Sequence, residues 1–540
     1  MAKRQAAWTV MVYLAGDNNL TTECMFALTE MKKATLGKNL NVIAQFDPSD
    51  PYLPTHRYVI SRNGKKKNLC YDIIDRAVHV AENCEVCFQE ESAEAKALLE
   101  SRHVGRKFRN VALDEASLID SAQPDEVITD ETDTGSPITL YNFISFCLEK
   151  YPADHYMVIL SGHAGGTERD YLLRDESSAR SLTLNELRQV FKRVKKVRNG
   201  ELIDIIGMDN CLMSMAEICY ELRELVEIVV GCESFSPASG WPYRQILERI
   251  RKDFTSAKAL KKKSLVEHAA TAIVDEYVNY YANYWLAGLS VTQSALRVGK
   301  VEKLQREIDK LAGLMERELV AERDERKSND RVRDSFQDSL LLAHWEAQSY
   351  NGEQFVDLRD FCDCLQHRVG PSEIASQCKE IKHFLKSEFV LRSCYCGADY
   401  QYSYGVSIYF PWSTVAPSYW NLEFVRDTEK PGWGNFLKTY TLLTRRAPRG
   451  LNPETKLCEG LSQTIEGRLD SVRMGSERMG IERMGIERMG IERMGIERMM
   501  SGLMKNRVHS MRNPPNVFFP DECIRDGRSA VDTQETLRLR

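Results

Sequence analysis

Two short polar stretches hold residue types that could do chemistry: Ser161-Gly162-His163-Ala164-Gly165-Gly166 and Gly207-Met208-Asp209-Asn210-Cys211. Each follows an apolar run of strand length, Tyr156–Leu160 in one case and Leu202–Ile206 in the other. A thiol attacks a carbonyl as the thiolate, and an adjacent imidazole is the base that supplies it. Cys211 and His163 are therefore the candidate nucleophile and acid–base group, on the condition that their two strands are neighbours. The residues after Cys211 read as a helix from about Met213 to Leu225, whose N-terminal dipole would favour a thiolate. The backbone N–H groups of Cys211 and Ala164 are the candidate donors to an oxyanion. Gly162, Gly165 and Gly166 would let the backbone approach a substrate closely, although tight turns also call for glycine. The competing reading is that both are ordinary loop residues, because a Cys with a distant His is weak evidence by spacing alone.

Bringing two such loops together calls for a parallel sheet, since loops at the carboxyl ends of neighbouring strands line the crevice of open α/β folds. The periodicity predicts one. Trp8–Leu14 reads as a strand, Thr21–Ala34 as a helix, and Asn41–Phe46 as a second strand ending at Asp47-Pro48. Leu140–Lys150 and Leu184–Val194 read as helices and Ile228–Val230 as a short strand. Helical patterns fill most of 256–280 and 299–320, and strand-like runs recur at Leu289–Leu296 and Val406–Phe410. This alternation makes the fold class α/β. Lys3 and Arg4 ahead of the apolar run from Trp8 to Gly16 imitate a secretory leader. Thr9, Tyr13, the alternation and the Gly16-Asp17-Asn18-Asn19 turn favour a strand instead, and with it a cytoplasmic protein.

The remainder of the chain bounds what else is expected. A formal charge of −5 over 540 residues offers no nucleic-acid footprint. No apolar run approaches the roughly 18–20 residues of a membrane span. Fifteen cysteines, an odd total scattered along a long chain, point to reduced thiols, most of them small core residues. Residues 61 to about 130 read as an insertion, with a basic run at Lys65–Lys67 and a Glu-rich stretch at Glu90–Glu94. After about residue 450 a pentad close to Ile-Glu-Arg-Met-Gly repeats. A five-residue period cannot keep its methionines on one helical stripe, so 451–540 reads as a low-complexity tail, disordered or helical. Cys70, His79, Cys84 and Cys87 lack the paired spacing of a zinc site, so no metal is expected there. No cofactor is required; the acidic run Asp130-Glu131-Thr132-Asp133 leaves calcium open.

Five motifs in order resemble the clostripain family of cysteine peptidases. They are Tyr13-Leu14-Ala15-Gly16-Asp17-Asn18-Asn19-Leu20, Ser161-Gly162-His163, Asp209-Asn210-Cys211-Leu212-Met213, Gly240-Trp241-Pro242-Tyr243, and Tyr404-Gly405-Val406-Ser407-Ile408-Tyr409-Phe410-Pro411. The likeness runs from about residue 8 to 445, omitting 61–130, and makes 1–450 one peptidase domain. It implies a caspase-like αβα sandwich around a mostly parallel sheet, with His163 as acid–base and Cys211 as nucleophile. It also implies that Asp209 sits in a specificity pocket for Arg or Lys, so that the partners are peptides with basic residues; the plain alternative for Asp209 is a turn or helix cap. The residue after the histidine is usually Gly in the family and is Ala164 here, which puts the oxyanion site in question if that position needs φ > 0. A second reading keeps the fold and makes the chain an inactive homologue that binds peptide or a partner. The polar linker between the two strands, with no helical or strand periodicity over Asp175–Ser181, is expected to be where the chain cuts itself, at Arg180 first and Arg174 second.

Overall fold

A computed structural model describes residues 6–49, 55–60, 69–71, 132–256, 262–283, 290–327, 335–352, 354–412, 414–426 and 432–446. The chain divides into Met1–Pro448 and Arg449–Arg540, and every described residue belongs to the first unit. The pentad repeats lie outside the described residues, as does the 61–130 stretch apart from Leu69–Tyr71.

The strands are β1 (Ala6–Gly16), β2 (Leu40–Pro48), β3 (His56–Val59), β4 (Leu69–Tyr71), β5 (Ala153–Ser161), β6 (Leu172–Asp175), β7 (Arg180–Leu182), β8 (Ile203–Asp209), β9 (Val226–Gly231), β10 (Val291–Arg297), β11 (Ser349–Tyr350), β12 (Phe355–Asp357), β13 (Val390–Cys396) and β14 (Ser407–Tyr409). The longer helices are α1 (Thr21–Lys33), α2 (Pro137–Lys150), α3 (Leu184–Val197), then α4 (Tyr243–Ser256), α5 (Lys262–Ala282) and α6 (Val301–Lys327). Helices α7 (Leu358–Val369) and α8 (Glu373–Phe384) follow.

Nine strands form one sheet in the order β13-β10-β9-β8-β5-β1-β2-β3-β4. Its centre, β2-β1-β5-β8-β9, is parallel throughout, and antiparallel strands close both edges. Side chains alternate between faces, so β1 divides its apolar residues: Met11, Tyr13 and Ala15 enter one core, Val10, Val12 and Leu14 the other. The first core is filled from α2, α3 and α6, the second from α1, α4 and α5. The result is the expected αβα sandwich. The run Trp8–Gly16 is thus a central strand, buried along its whole length.

Two expectations are corrected. The helix predicted from Met213 to Leu225 is only the short turn Ala216–Glu221, because the Met213 and Ser214 N–H groups bond instead to the Cys232 carbonyl (3.0 and 2.9 Å). The run Val406–Phe410 forms β14 as expected, in a second sheet, β11-β12-β14. The linker over 175–181 is a hairpin of β6 and β7, strands too short to show a period.

Candidate active site

Strands β5 and β8 are parallel neighbours, with Ser161 opposite Asp209 at their carboxyl ends. The loops that follow are laced together. The Ser161 hydroxyl donates to Asp209 Oδ2 (3.0 Å), the Gly162 N–H to the Asp209 carbonyl (3.4 Å), and the Asn210 amide to the Gly162 carbonyl (2.9 Å). His163 and Cys211 each lie one residue beyond this lacing. The structure thus sets the loops that carry the two singled-out residues side by side, at the ends of adjoining strands.

The environment of Cys211 is built by the segment after β9. The Ser236 N–H points at Sγ from 3.3 Å, a contact that an anionic sulfur accepts better than a neutral one. The Leu212 N–H donates to the Ser234 carbonyl (2.9 Å), which holds Leu212 at φ +62°, a conformation that strains a branched residue by about 1–2 kcal/mol. No helix begins at Cys211, since the helical turn starts only at Ala216, and the N–H that meets Sγ is that of Ser236, whose carbonyl lies 3.9 Å from the same sulfur. The segment after Cys211 rests on β14 through Ser407 N–H to the Ser214 carbonyl (2.9 Å) and Tyr409 N–H to Glu217 Oε1 (2.8 Å). The Glu233 carboxylate accepts the Gly405 N–H (2.9 Å), while Asp357 accepts that of Tyr404 (2.6 Å). The motif from Tyr404 to Pro411 is therefore a buttress under the loop that carries Cys211.

His163 is half-buried, and its Nε2 lies 2.6 Å from Asn19 Oδ1. Burial lowers its pKa below the ordinary imidazole value; Glu176 opposes that shift and Arg174 adds to it. Both charges come from the β6–β7 hairpin, which the Leu173 N–H pins to the His163 carbonyl at 2.8 Å.

Asp209 is 5% exposed, and its burial raises the carboxyl to a pKa of about 6, against hydrogen bonds from Tyr243, Ser161 and the Trp241 backbone that lower it. Oδ2 accepts from the Tyr243 hydroxyl (2.8 Å) as well as from Ser161, whereas Oδ1 has no hydrogen-bond donor among the described residues. Gly240 sits at φ +64°, and a Cβ there would stand 2.9 Å from Asp209 Oδ2. The motif Gly240-Trp241-Pro242-Tyr243 is thus a collar closed round this carboxylate. Asp209 caps no helix, since it ends β8 and the next helical turn begins at Ala216.

A sequence model of the clostripain family matches residues 12–440. The chain belongs to the clostripain family. Clostripain of Hathewaya histolytica is 23% identical over 262 residues, which cover 45% of this chain and 42% of that protein. The chain thus spans less than half the length of the curated relative that it matches. Among solved structures, a secreted C11 cysteine protease from Bacteroides thetaiotaomicron, in complex with an irreversible peptide inhibitor, superposes with a TM-score of 0.50 at 16% identity. That match covers 78% of this chain and 98% of the other, and it supports the fold. An inactive zymogen C11 protease from Parabacteroides distasonis gives 0.49 at 16% identity over 79% of this chain and 99% of its own.

Within this clostripain-family site, the departure at Ala164 brings no backbone strain. Ala164 is absent from the residues with positive φ. It pairs with Leu172 in an isolated bridge whose bonds run from Gly165 N–H to the Tyr171 carbonyl (3.1 Å) and from Leu173 N–H to the His163 carbonyl (2.8 Å). The Ala164 N–H takes no part in that bridge. The neighbouring glycines are also required by packing: a Cβ on Gly165 would stand 2.5 Å from the Tyr171 ring, and one on Gly166, which sits at φ +60°, 3.1 Å from Phe355.

Arg174 is exposed and Arg180 half-buried in the hairpin, which is held more firmly than a free loop. Asn18 Nδ2 donates to the Arg174 carbonyl (2.7 Å), and Arg180 reaches Glu186 Oε1 at 3.3 Å. Asp133 accepts from the Gly135 N–H (2.9 Å) and the Ser178 hydroxyl (3.1 Å). Asp130 and Glu131 lie outside the described residues, as do the side chains of Cys70, His79, Cys84 and Cys87. Among the described residues, no group of three or more His, Cys, Asp and Glu could hold a metal ion. Two contacts escaped the sequence: Ser236 carries no motif, and Asn19 lay inside one whose partner is 144 residues away.

Proposed function

We propose that this chain is a cysteine endopeptidase that cuts after Arg or Lys. The observation that supports the reading is the pair of laced strand ends, whose next residues are His163 and Cys211, with the buried Asp209 carboxylate tied into the lacing. Sγ of Cys211 adds to the scissile carbonyl, and His163 takes up the thiol proton. The tetrahedral oxyanion is met by the N–H groups of Cys211 and Ala164. Collapse breaks the C–N bond, the leaving amine takes the proton from His163, and a thioester remains. Water then attacks that thioester with His163 as base, releasing the acid and restoring the thiol. The substrate's guanidinium or ammonium pairs with Asp209, whose Oδ1 is buried without a donor among the described residues behind the Gly240–Tyr243 collar, so that pairing requires the collar to open.

For the inactive-homologue reading Ala164 is a slight point in favour, which its ordinary φ weakens, while the retained His163 and Cys211 argue against it. Self-cleavage after Arg180 or Arg174 follows from the same specificity, since both stand in the hairpin beside His163. The deciding experiment is turnover of Arg- and Lys-ended fluorogenic peptides by wild type, Cys211→Ala and His163→Ala, with folding checked by thermal melting. Each variant should lose at least about a thousandfold in kcat, the scale on which nucleophile and base removal act together. Near-normal turnover by either folded variant overturns the dyad.

A further inference from the structure

We propose that Asn19 is the positioning residue that fixes the orientation and tautomer of His163. The inference rests on the reading of His163 as the acid–base group, and it adds a member to a pair that the sequence presented as self-sufficient. Strand β1 lies beside β5, with Leu14 opposite Ser161, so the turn after β1 emerges next to the loop that carries His163. Asn19 Oδ1 meets His163 Nε2 there at 2.6 Å, a short hydrogen bond.

An exposed amide on a loose turn would be a poor clamp, but this turn is bound on every side. Asn18 N–H donates to the Gly16 carbonyl (2.7 Å), and Asn18 Nδ2 to the carbonyls of Ala15 (3.1 Å) and Arg174 (2.7 Å). Asn18 Oδ1 accepts from the Leu20 N–H (2.9 Å), and the Thr21 hydroxyl donates to the Asn18 carbonyl (3.1 Å). Asp17 takes the Glu176 N–H on its carbonyl (2.8 Å) and the Ser177 N–H on its carboxylate (3.0 Å). Asn18 and Asn19 thus divide the labour: the first locks the backbone, and the second presents its oxygen to the ring.

An amide oxygen only accepts, so the nitrogen facing it carries the hydrogen. The neutral ring is then the Nε2–H tautomer, with its lone pair on Nδ1, the atom that receives the thiol proton and returns it to the leaving amine. The Asn19 oxygen also remains a partner when the ring becomes imidazolium, and it does so without a full charge. The charged groups that face the ring are Glu176 and Arg174 from the hairpin, with the Cys211 thiol on the neighbouring strand end.

The test compares Asn19→Ala and Asn19→Asp with wild type on an Arg-ended fluorogenic peptide across pH 5–9, alongside Cys211→Ala and His163→Ala. Asn19→Ala should lower kcat by about 10–100-fold while KM changes by less than about threefold, the usual effect of losing a partner that orients a functional imidazole. Asn19→Asp keeps an acceptor, so it should recover part of that loss. Its carboxylate favours the imidazolium, so the limb belonging to His163 should move up by about one unit or more. Thermal melting separates these effects from unfolding. Asn19→Ala with wild-type kcat and an unmoved profile overturns the proposal. So does an Asn19→Asp variant as impaired as Asn19→Ala with the limb unmoved, which would show that the amide serves only the turn or faces the ring through Nδ2. Active His163→Ala or Cys211→Ala would instead bring down the dyad itself.

Discussion

Replacing Asp209 by Asn keeps the side chain's shape and removes its titration. Burial moves this carboxyl from 3.8 to about 6. The 2.2-unit difference corresponds to about 3 kcal/mol that ionisation costs in the folded chain. The folded pKa is raised, so the group's contribution to stability is full below pH 3.8 and is lost as pH rises through about 6. At pH 7.5 wild type therefore carries the whole penalty, and Asp209→Asn escapes it, less about 1 kcal/mol for each hydrogen bond that the amide makes poorly. Recognition runs the other way, because only the carboxylate pairs with a basic side chain. The ratio of kcat/KM for an Arg peptide to that for an otherwise identical Gln peptide should follow the ionised fraction of Asp209. It should fall about tenfold between pH 7.5 and 5, while limbs shared by both substrates, such as those of Cys211 and His163, cancel in the ratio. In Asp209→Asn the ratio should become flat and drop by about a hundredfold or more, since removing one partner of a buried pair costs about 3–5 kcal/mol. The assay is kcat/KM for Arg, Lys and Gln peptides at half-unit steps from pH 5 to 8.5, with melting temperatures alongside. A ratio independent of pH in wild type, or full basic preference in Asp209→Asn, would refute the reasoning.

Two further outcomes are expected. Ala164→Gly should leave kcat/KM within about threefold of wild type, because Ala164 already has an ordinary φ and glycine adds only backbone entropy; a large gain would mean that the alanine strains the oxyanion site. Burial, with Asp175 beside it, raises the Asp133 pKa to about 7 against the Ser178 and Gly135 hydrogen bonds, so Asp133's net contribution to folded stability is full below pH 3.8 and lost as pH rises through about 7, the cost of burying its charge outweighing the Arg180 guanidinium 3.8 Å away. In a Cys211→Ala background, amide exchange over 174–180, corrected for its intrinsic pH dependence, should therefore be faster at pH 8.5 than at pH 6. Asp133→Asn should remove the difference, and equal protection at both pH values would count against that anchor.

What the sequence disclosed follows from how each element is buried. Strands β5 and β8 are covered on both faces, so they read as largely apolar runs, interrupted near their starts by His155 and Asp204, which pair with each other, and the polar residues that end them stand out. The residues after Cys211 read as helix from local preference, but backbone bonds to Cys232 and the Met215–Ser407 bridge hold them extended. Local propensity has no access to partners so far along the chain. The same limit hid Asn19, whose role depends on β1 lying beside β5, and Ser236, whose contribution is a main-chain N–H that any residue except proline would offer. Arg174 and Arg180 looked like loop residues because strands of four and three residues are too short to display a period.

The hairpin that carries Arg174 and Arg180 bridges the middle of the sheet. A cut within it would leave β1, β2 and β5 on one polypeptide and β8, β9 and β10 on the other. Their seam would be the β5–β8 pairing, with α2 packed on α3 above it. Before such a cut, unfolding is unimolecular and its midpoint is indifferent to dilution. Afterwards the intact site is a complex of two chains, and its stability scales with their concentration. A nicked sample should therefore elute as one species at micromolar concentration, separate into two under denaturant, and lose activity on extended dilution at a rate set by dissociation of the β5–β8 seam.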